Sequence, residues 1–330
     1  MDRVRIGVLG AAKITPAALL KPAKSVDEAD VVAVAARDPE RARAFATKRG
    51  VARALDSYDA LIADPDIDAV YNPLPNGLHA EWTIKALEAG KHVLCEKPFT
   101  ANAAEAELVA AAAERTGLVV MEAFHWRYHP VAARVLDIVG SGELGELRRV
   151  ESTMAFPLFK SSDIRWHLDL AGGALMDAGC YTVHQVRTFA RSEPEVVRAT
   201  AKLKSPGVDR VMDAELRFAN GVTGHIFTSM WSSKVLALKV RVVGDRGQID
   251  ILNATQPQLF HRFTVKTPSG KRRERIKGEA TYWYQLKAFC AAVLRGEPTL
   301  TPPSESIANM RAIDAIYRAA GMEPRTGRLA

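Results

Sequence analysis

The chain has 330 residues, of which 48% are hydrophobic and 25% charged, and its formal net charge is +7. This composition is that of a globular protein, and the length predicts two domains, because single cores stop growing beyond roughly 250–300 residues. No apolar run approaches the roughly 20 residues of a membrane helix, and residues 1–5 lead into a strand instead of a signal peptide. Three distant cysteines, Cys95, Cys180 and Cys290, argue against disulfides or a zinc site and predict a cytoplasmic protein.

The positive charge is dispersed along the chain. Its densest run, residues 271–275, follows Pro268-Ser269-Gly270 and is interpreted as the flank of a hairpin. We therefore expect no nucleic-acid binding, although the excess charge can help to attract a phosphorylated cofactor.

The first third of the chain alternates short β-branched runs with helical segments. The runs cover residues 4–9, 31–35, 69–71, 92–95 and 118–121, and Ala-rich segments with helical spacing cover residues 39–49, 80–89 and 103–115. Nearly continuous apolar strands that alternate with helices predict a doubly wound parallel sheet. The prediction is an α/β domain at residues 1–122.

A glycine turn follows the first predicted strand and leads into a helix, an arrangement that directs backbone N–H groups at a pyrophosphate. Gly10 occupies the first position of the dinucleotide fingerprint, but Ala12 replaces the second glycine and Thr15 stands near the third. The extra methyl group of Ala12 moves the pyrophosphate slightly outward or leaves it bridged by water. The candidate cofactor residues in this turn are Gly10, Ala11, Ala12, Lys13 and Ile14.

The second strand ends at an arginine where an adenosine ribose is expected. Asp38 is an alternative ribose ligand, but Asp38-Pro39-Glu40 has the residues of a helix start, and we interpret Asp38 as the N-cap. Arg37 and Arg41 are then available for a 2′-phosphate, whose oxygens suit guanidinium groups. The predicted cofactor is NADP, with NAD less favoured.

Residues 71–79 follow the strand at 69–71 and form a rim stiffened by prolines. Pro73, Asn76 and His79 are candidate contacts to cofactor or substrate. Asn76 can instead cap a helix from Gly77 onward, and both interpretations stay open.

Glu96-Lys97-Pro98 follows the apolar strand at residues 92–95. A lysine at the carboxyl end of a parallel strand lies where open α/β sheets bind ligands, and the proline stiffens its turn. Further along, Asp177 and Tyr181 are four residues apart and share a face if they are helical. These residues predict a Lys/Asp/Tyr proton-transfer site, against the alternatives of a surface lysine and a buried structural tyrosine.

The pattern changes after residue 150. Alternating strands at residues 213–218 and 222–230 flank Asn220-Gly221, a hairpin signal, and strands at 239–243 and 248–252 flank a second turn. Helical patterns return at residues 282–294 and 304–319. We predict an α+β domain at residues 123–330 with a large open antiparallel sheet that can serve as an oligomer interface.

The ordered set of these motifs resembles the glucose–fructose oxidoreductase/inositol dehydrogenase/rhizopine-catabolism (Gfo/Idh/MocA) family over essentially the whole chain. Residues 8–14, 72–79, 96–98 and 172–181 carry the resemblance. Residues 36–38, 121–124 and 173–181 are most similar to the dimeric dihydrodiol dehydrogenase and NADP-dependent D-xylose dehydrogenase branches. The resemblance implies a Rossmann domain followed by an α+β domain.

The resemblance also implies roles for single residues. Lys97, with Glu96 beside it, binds the substrate oxygen and nicotinamide region, Asp177 orients the substrate, and Tyr181 stands where many members have histidine. His184 replaces a frequent aspartate or asparagine, and Ala171 replaces a common glycine. Five residues lie in segments that cross the substrate cleft in this family, with core or dimer contacts as the alternative: Trp126, Arg127, Arg165, Trp166 and His167.

The expected activity is NADP-dependent hydride transfer between the nicotinamide and a secondary alcohol or carbonyl of a sugar, cyclic polyol or dihydrodiol. The alternative is a catalytically silent NAD(P)H-binding sensor on the same fold. No metal is expected: His125 and His129 are four residues apart, but Pro130 argues against a helix that continues through them, and no third ligand is evident. The expected assembly is a homodimer or homotetramer through the second sheet; substrate identity, stereochemistry and direction stay open.

Overall fold

The computed structural model describes residues 2–329, and its contacts divide the chain into two compact units. The first unit comprises Met1–His125, Tyr282–Ile307 and Gly327–Ala330, and the second comprises Trp126–Thr281 and Ala308–Thr326. The predicted domain boundary between residues 122 and 123 stays a prediction. The compact units differ from it mainly in the residues near the C-terminus that join the first unit.

The first unit contains a six-stranded parallel sheet in the order β3-β2-β1-β4-β5-β6. This is the order of a doubly wound dinucleotide-binding sheet, as predicted. Apart from β3, whose residues are half-buried, the strands are largely buried, which explains their apolar sequences. Their bounds are β1 (Val4–Leu9), β2 (Ala29–Ala35), β3 (Arg53–Leu55), β4 (Ala69–Asn72), β5 (His92–Cys95) and β6 (Val120–Glu122).

Helices connect these strands, and several begin at side-chain caps. The carboxylate of Asp38 accepts the Glu40 N–H at 3.0 Å, which confirms Asp38 as an N-cap. Asn102 caps the longest of these helices in the same way. The helices are π-helical Pro16–Leu20, α1 (Lys21–Ala23), α2 (Pro39–Arg49), α3 (Tyr58–Ala63), 3₁₀-helical Asn76–Leu78, α4 (His79–Glu88) and α5 (Ala103–Thr116).

The second unit contains an eight-stranded sheet in the order β14-β13-β12-β11-β7-β10-β9-β8. All neighbouring strands are antiparallel except β10 and β7, which are parallel. Asn220-Gly221 forms the β9–β10 turn with Gly221 at φ +82°, and the basic run lies in a hairpin strand, both as predicted. The strands are β7 (Leu147–Ala155), β8 (Pro194–Ser205), β9 (Val208–Phe218), β10 (Thr223–Ser229), β11 (Ala237–Gly244), β12 (Gln248–Leu252), β13 (Arg262–Thr267) and β14 (Gly270–Glu274).

Helix α7 (Cys180–Ala190) packs on one face of this sheet, against β7 and β10. The opposite face carries the intervening polar residues, since side chains alternate along strands. The helices of the remaining chain are 3₁₀-helical His125–Tyr128, α6 (Pro130–Gly140), 3₁₀-helical Ile164–Trp166 and Leu168–Leu170, π-helical Leu175–Gly179, α7 (Cys180–Ala190), α8 (Thr281–Arg295) and α9 (Pro303–Ala319).

Helix α8 shows why a C-terminal segment belongs to the first unit. The Trp283 indole N–H donates to the Ser25 carbonyl at 3.2 Å, and Arg295 forms an ion pair with Glu28. Both partners belong to the segment between α1 and β2. Within residues 2–329, no helix is long and apolar enough to cross a membrane.

Candidate active site

The glycine turn after β1 has the geometry of a dinucleotide-binding turn. Gly10 lies at φ +88°, a region that glycine favours, and its N–H donates to the Ala35 carbonyl at 2.6 Å. A Cβ atom on Gly10 would lie 3.1 Å from Leu74 Cδ2. The hydroxyl of Thr15 is buried without a hydrogen-bond partner among residues 2–329, and buried polar atoms usually have one. These features fit a bound pyrophosphate.

The residues after Gly10 differ in exposure. Ala11 and Ala12 are half-buried, whereas Lys13 and Ile14 are exposed. The alanine at the second fingerprint position is therefore partly accessible to solvent.

Two exposed arginines follow β2. Arg37 directly precedes the cap Asp38, and Arg41 lies in the first turn of α2. Their neighbour Arg43 contacts Glu40 at 2.7 Å and Asp56 at 3.1 Å. In contrast, neither Arg37 nor Arg41 forms an ion pair within the described part of the chain, so both guanidinium groups are available to an anion.

Tyr58 lies beside these arginines and was not predicted from the sequence. The Arg37 N–H donates to its hydroxyl, which would lie 3.7 Å from a Cβ atom on Gly10. Burial raises the Tyr58 pKa, and the charges of Arg37 and Arg41 offset part of this rise. Its ring makes an edge contact with Trp82 at 4.9 Å. Tyr58 follows β3, and this short strand was not recognised in the sequence. For that reason Tyr58 was not identified as a residue at the edge of the sheet where the cofactor is expected.

His79 connects the proline rim to the turn that carries Lys97. Its Nδ1 atom lies 2.7 Å from the Pro98 carbonyl oxygen and its Nε2 atom 2.7 Å from the Leu74 carbonyl oxygen. Burial lowers its pKa to about 4, and the two carbonyl oxygens, which favour the protonated ring, offset part of this shift. Both nitrogens thus face backbone carbonyl groups. His79 therefore connects the rim at Leu74 to the turn at Pro98, and its ring nitrogens are not directed at a ligand as predicted.

The other rim residues keep their predicted positions. Pro73 is buried after β4, and Asn76 is half-buried. Asn76 is the first residue of a 3₁₀ turn, and neither this turn nor α4 begins with a side-chain cap. The alternative that Asn76 caps the helix is therefore wrong, because the chain is already helical at residue 76.

Lys97 is half-buried at the carboxyl end of β5. The preceding Glu96 is buried and accepts the Tyr71 hydroxyl at 2.7 Å; burial raises the Glu96 pKa, and the Lys97 ammonium offsets part of this rise. The Glu96 N–H donates to the Asn72 carbonyl at 3.0 Å. Burial and the positive charge of Lys97 lower the His125 pKa to about 3. The charge of Lys97 thus contributes to the pKa shifts of both Glu96 and His125.

Asp177 and Tyr181 lie in the second unit, on one continuous helical segment. Asp177 belongs to the π-helical turn Leu175–Gly179, and Tyr181 is the second residue of α7. Four residues are about one turn in either geometry, so both side chains leave the same side of the segment. The Arg165 Nε atom lies 3.4 Å from Asp177 Oδ1, so Arg165 and Asp177, both predicted site residues, are in contact.

Trp126 and Trp166 lie in the core of the second unit. Trp126 is 1% exposed, donates its indole N–H to His184 Nδ1 at 3.1 Å and contacts the Phe189 ring. Trp166 is buried with Ala174, Val208 and Met230. For both tryptophans the structure thus supports the alternative of core packing, and His184 is buried beside Trp126. Arg127 is half-buried, and its charge contributes to lowering the His184 pKa.

The predicted set is divided between the units. Lys97 belongs to the first unit, and Arg165, Asp177 and Tyr181 belong to the second. Their action on one substrate stays a prediction. No group of three or more His, Cys, Asp or Glu side chains suited to a metal ion occurs in residues 2–329.

Comparison with known proteins identifies relatives over nearly the whole chain. D-xylose 1-dehydrogenase (NADP(+)) 2 from Haloferax volcanii is 38% identical over 315 residues, which are 95% of this chain and 96% of that protein. Trans-1,2-dihydrobenzene-1,2-diol dehydrogenase from Xenopus tropicalis is 32% identical over 248 residues, 74% of each chain. A crystallised 3-ketoreductase from Actinomadura kijaniata, in complex with NADP and TDP-benzene, has a TM-score of 0.89 and 29% identity, and the match covers 96% of this chain and 98% of that one.

Family sequence patterns agree with these relatives. Residues 4–124 match the oxidoreductase family with an NAD-binding Rossmann fold, and residues 132–250 match the GFO/IDH/MocA C-terminal domain. The resemblance seen in the motifs is thereby confirmed. The chain belongs to the GFO/IDH/MocA family of oxidoreductases.

Proposed function

We propose that this protein is an NADP-dependent oxidoreductase that interconverts a secondary alcohol and a carbonyl group on a sugar, cyclic polyol or dihydrodiol. Relatives named as a xylose dehydrogenase, a 3-ketoreductase and a dihydrodiol dehydrogenase support this substrate class. The observation that carries the proposal is the placement of Asp177 and Tyr181 one turn apart, with Arg165 beside the carboxylate. A carboxylate and a phenol in this arrangement suit binding and deprotonation of neighbouring hydroxyl groups.

The cofactor residues follow from the first unit. The turn from Gly10 to Ile14 holds the pyrophosphate, and the hydroxyl of Thr15 donates to it. Arg37 and Arg41 bind the 2′-phosphate, because they lack carboxylate partners within the described residues. Pro73, Asn76, Glu96 and Lys97 lie toward the nicotinamide, whereas His79 holds the turn. When bound, NADP accepts or supplies the hydride.

The protein's own part is to hold the substrate and to move a proton. A tyrosine with a pKa of about 10 is a poor base at neutral pH, and a nearby ammonium favours its phenolate form. In the proposed mechanism Lys97 provides this charge and binds the reacting oxygen, while Tyr181 exchanges the proton with that oxygen. Asp177 accepts a hydrogen bond from a neighbouring substrate hydroxyl, and Arg165 holds the Asp177 carboxylate in place through its contact with Oδ1.

We also propose that the polar face of the eight-stranded sheet forms the contact of a homodimer or homotetramer. The face carries charged residues of both signs, including Arg241, Asp250 and Lys266, which form ion pairs within one chain. A face with charges of both signs can be self-complementary in a symmetric contact between copies. Light scattering of the purified protein tests this assembly.

A substrate scan tests the activity. The purified protein is incubated with NADP and aldoses, cyclic polyols or dihydrodiols, and with NADPH and ketosugars, while NADPH absorbance is followed. We expect turnover with at least one class, faster with NADP than with NAD. Tight NADPH binding without turnover across the whole panel would contradict the proposal and favour a sensor.

A further inference from the structure

A buried ionic cluster lies behind the segment that carries Asp177. The Asp209 side chain, at the start of β9, is fully buried. Its Oδ1 atom accepts hydrogen bonds from Arg325 Nη2 at 2.7 Å and from the Tyr317 hydroxyl at 3.0 Å. Its Oδ2 atom accepts the Leu175 N–H at 2.7 Å, so one carboxylate joins three distant parts of the second unit.

Arg325 completes this cluster, which we call the Asp209–Arg325–Tyr317 clasp. Its side chain is only 2% exposed, and its Nε atom donates to the Gly172 carbonyl at 2.8 Å. Its guanidinium carbon lies 4.1 Å from the centre of the Tyr317 ring. A buried ion pair is weak evidence of stability, since desolvation offsets most of its Coulomb energy. The directional contacts therefore point to a role in fixing geometry.

Gly173 lies between the clasp and Asp177, the candidate catalytic carboxylate. A Cβ atom on Gly173 would lie 2.2 Å from Asp209 Oδ1 and 2.8 Å from Arg325 Nη2, so its backbone lies directly against the clasp. The Gly173 carbonyl accepts the Asp177 N–H at 3.0 Å, and the Gly173 N–H donates to the Arg165 carbonyl at 2.9 Å. One residue thus joins the clasp to the backbones of both Asp177 and Arg165.

We propose that Asp209, Arg325 and Tyr317 are positioning residues for the oxidoreductase reaction. They hold residues 172–175 and thereby fix the direction of Asp177 and its contact with Arg165. This inference rests on the proposed role of Asp177 in substrate binding. Reactive groups need support of this kind, because small displacements reduce turnover strongly.

The test removes both buried charges together. Asp209→Asn with Arg325→Gln keeps similar side-chain volumes and leaves no unpaired buried charge, which the single variants would create. Ile249→Ala, at a fully buried position of β12, serves as a control that destabilises the second unit outside the clasp. For each protein we compare kcat, the substrate KM, NADPH affinity and thermal unfolding, and we count folded sites by NADPH titration.

We expect the double variant to lose about 10²-fold in kcat per folded site, the scale of a misplaced reactive group, with NADPH affinity within about twofold of wild type. The control should keep wild-type kcat per folded site. A folded double variant with wild-type kcat and KM would overturn the inference. If the double variant does not fold, Tyr317→Phe decides: it removes one O–H donor, and a kcat reduced at least about threefold supports the clasp, whereas wild-type kcat overturns it.

The proposed function fails separately from this inference. If Tyr181→Phe leaves turnover unchanged, the assignment of the reaction residues is wrong whatever the clasp does. If Tyr181→Phe abolishes turnover while the folded clasp variant retains it, only the positioning role is refuted.

Discussion

The choice of NADP over NAD depends on Arg37 and Arg41. Replacing both with alanine removes the two guanidinium groups that have no carboxylate partner in the described structure around the end of β2. We expect the Kd for NADP to rise strongly while the Kd for NAD changes little, because NAD lacks the 2′-phosphate.

The size of this effect follows from their exposure. A hydrogen bond to a charged group contributes about 1.5–3 kcal/mol, and solvent screening of the exposed arginines reduces this to about 1–1.5 kcal/mol each. The sum of about 2–3 kcal/mol corresponds to about a 30- to 150-fold rise in the NADP Kd. For NAD we expect a change within about threefold, or about 0.7 kcal/mol.

Isothermal titration with both cofactors measures these constants directly. Arg43→Ala is the matched control. Arg43 lies on α2 together with Arg41, but it already contacts Glu40 and Asp56. We expect this control to bind NADP like the wild type. Equal losses of NADP and NAD affinity in the Arg37/Arg41 variant would refute the phosphate-binding role.

Three further predictions concern catalysis and stability. Tyr181→Phe should reduce kcat by about 10²- to 10⁴-fold without weakening NADPH binding, because it removes the proposed proton carrier; steady-state kinetics checks this, and a loss under threefold would count against it. Burial lowers the pKa of His79 to about 4 and of His125 to about 3, below the unfolded value, so the unfolded state binds more protons and stability is lost as pH falls below about 6.5. When the pH falls from 6.5 to 5, proton binding to each of these histidines in the unfolded state should lower the free energy of unfolding by about 2 kcal/mol. Urea unfolding with the same midpoint at both pH values would contradict this. Ala171→Gly should raise stability by about 0.5–1 kcal/mol, because Ala171 lies at φ +56°, where glycine avoids steric strain but loses more entropy; an unchanged or lower unfolding temperature would contradict this balance.

The strands and helices of the first unit could be predicted from the sequence because their local sequence patterns are distinct. The predicted bounds of β1, β5 and α2 agree with the structure, because buried parallel strands are continuous apolar runs and Asp38-Pro39 marks a helix start. The strand β3 was missed, since its three residues are only half-buried and show no apolar run. Tyr58 was missed with it.

The second unit was harder to read because its strands are long and partly exposed. The strand β8 is exposed along most of its length, so its sequence lacks the alternation that identifies β9. The parallel pairing of β10 with β7 joins segments about 70 residues apart and depends on the path of the whole chain. No local pattern encodes it.

The candidate site was predicted where residue type and strand position coincide. Lys97 lies at the end of β5 and Asp177 near the start of α7, as the motifs indicated. The roles of His79 and Asp209 were not predictable, because their partners are backbone groups or side chains that meet only in the folded chain. Arg325 is 116 residues from Asp209, and no spacing rule connects them.

The most direct test of the proposed mechanism compares wild type, Lys97→Met and the control Lys85→Met, whose lysine is half-buried on α4 and paired with Glu81. The measurement is kcat/KM on the best substrate, with NADPH affinity determined in parallel. We expect Lys97→Met to lose about 10²- to 10⁴-fold in kcat/KM, with NADPH affinity within a few-fold, and Lys85→Met to behave like wild type. Turnover by Lys97→Met at the wild-type rate would contradict the assignment of Lys97 to the reacting oxygen.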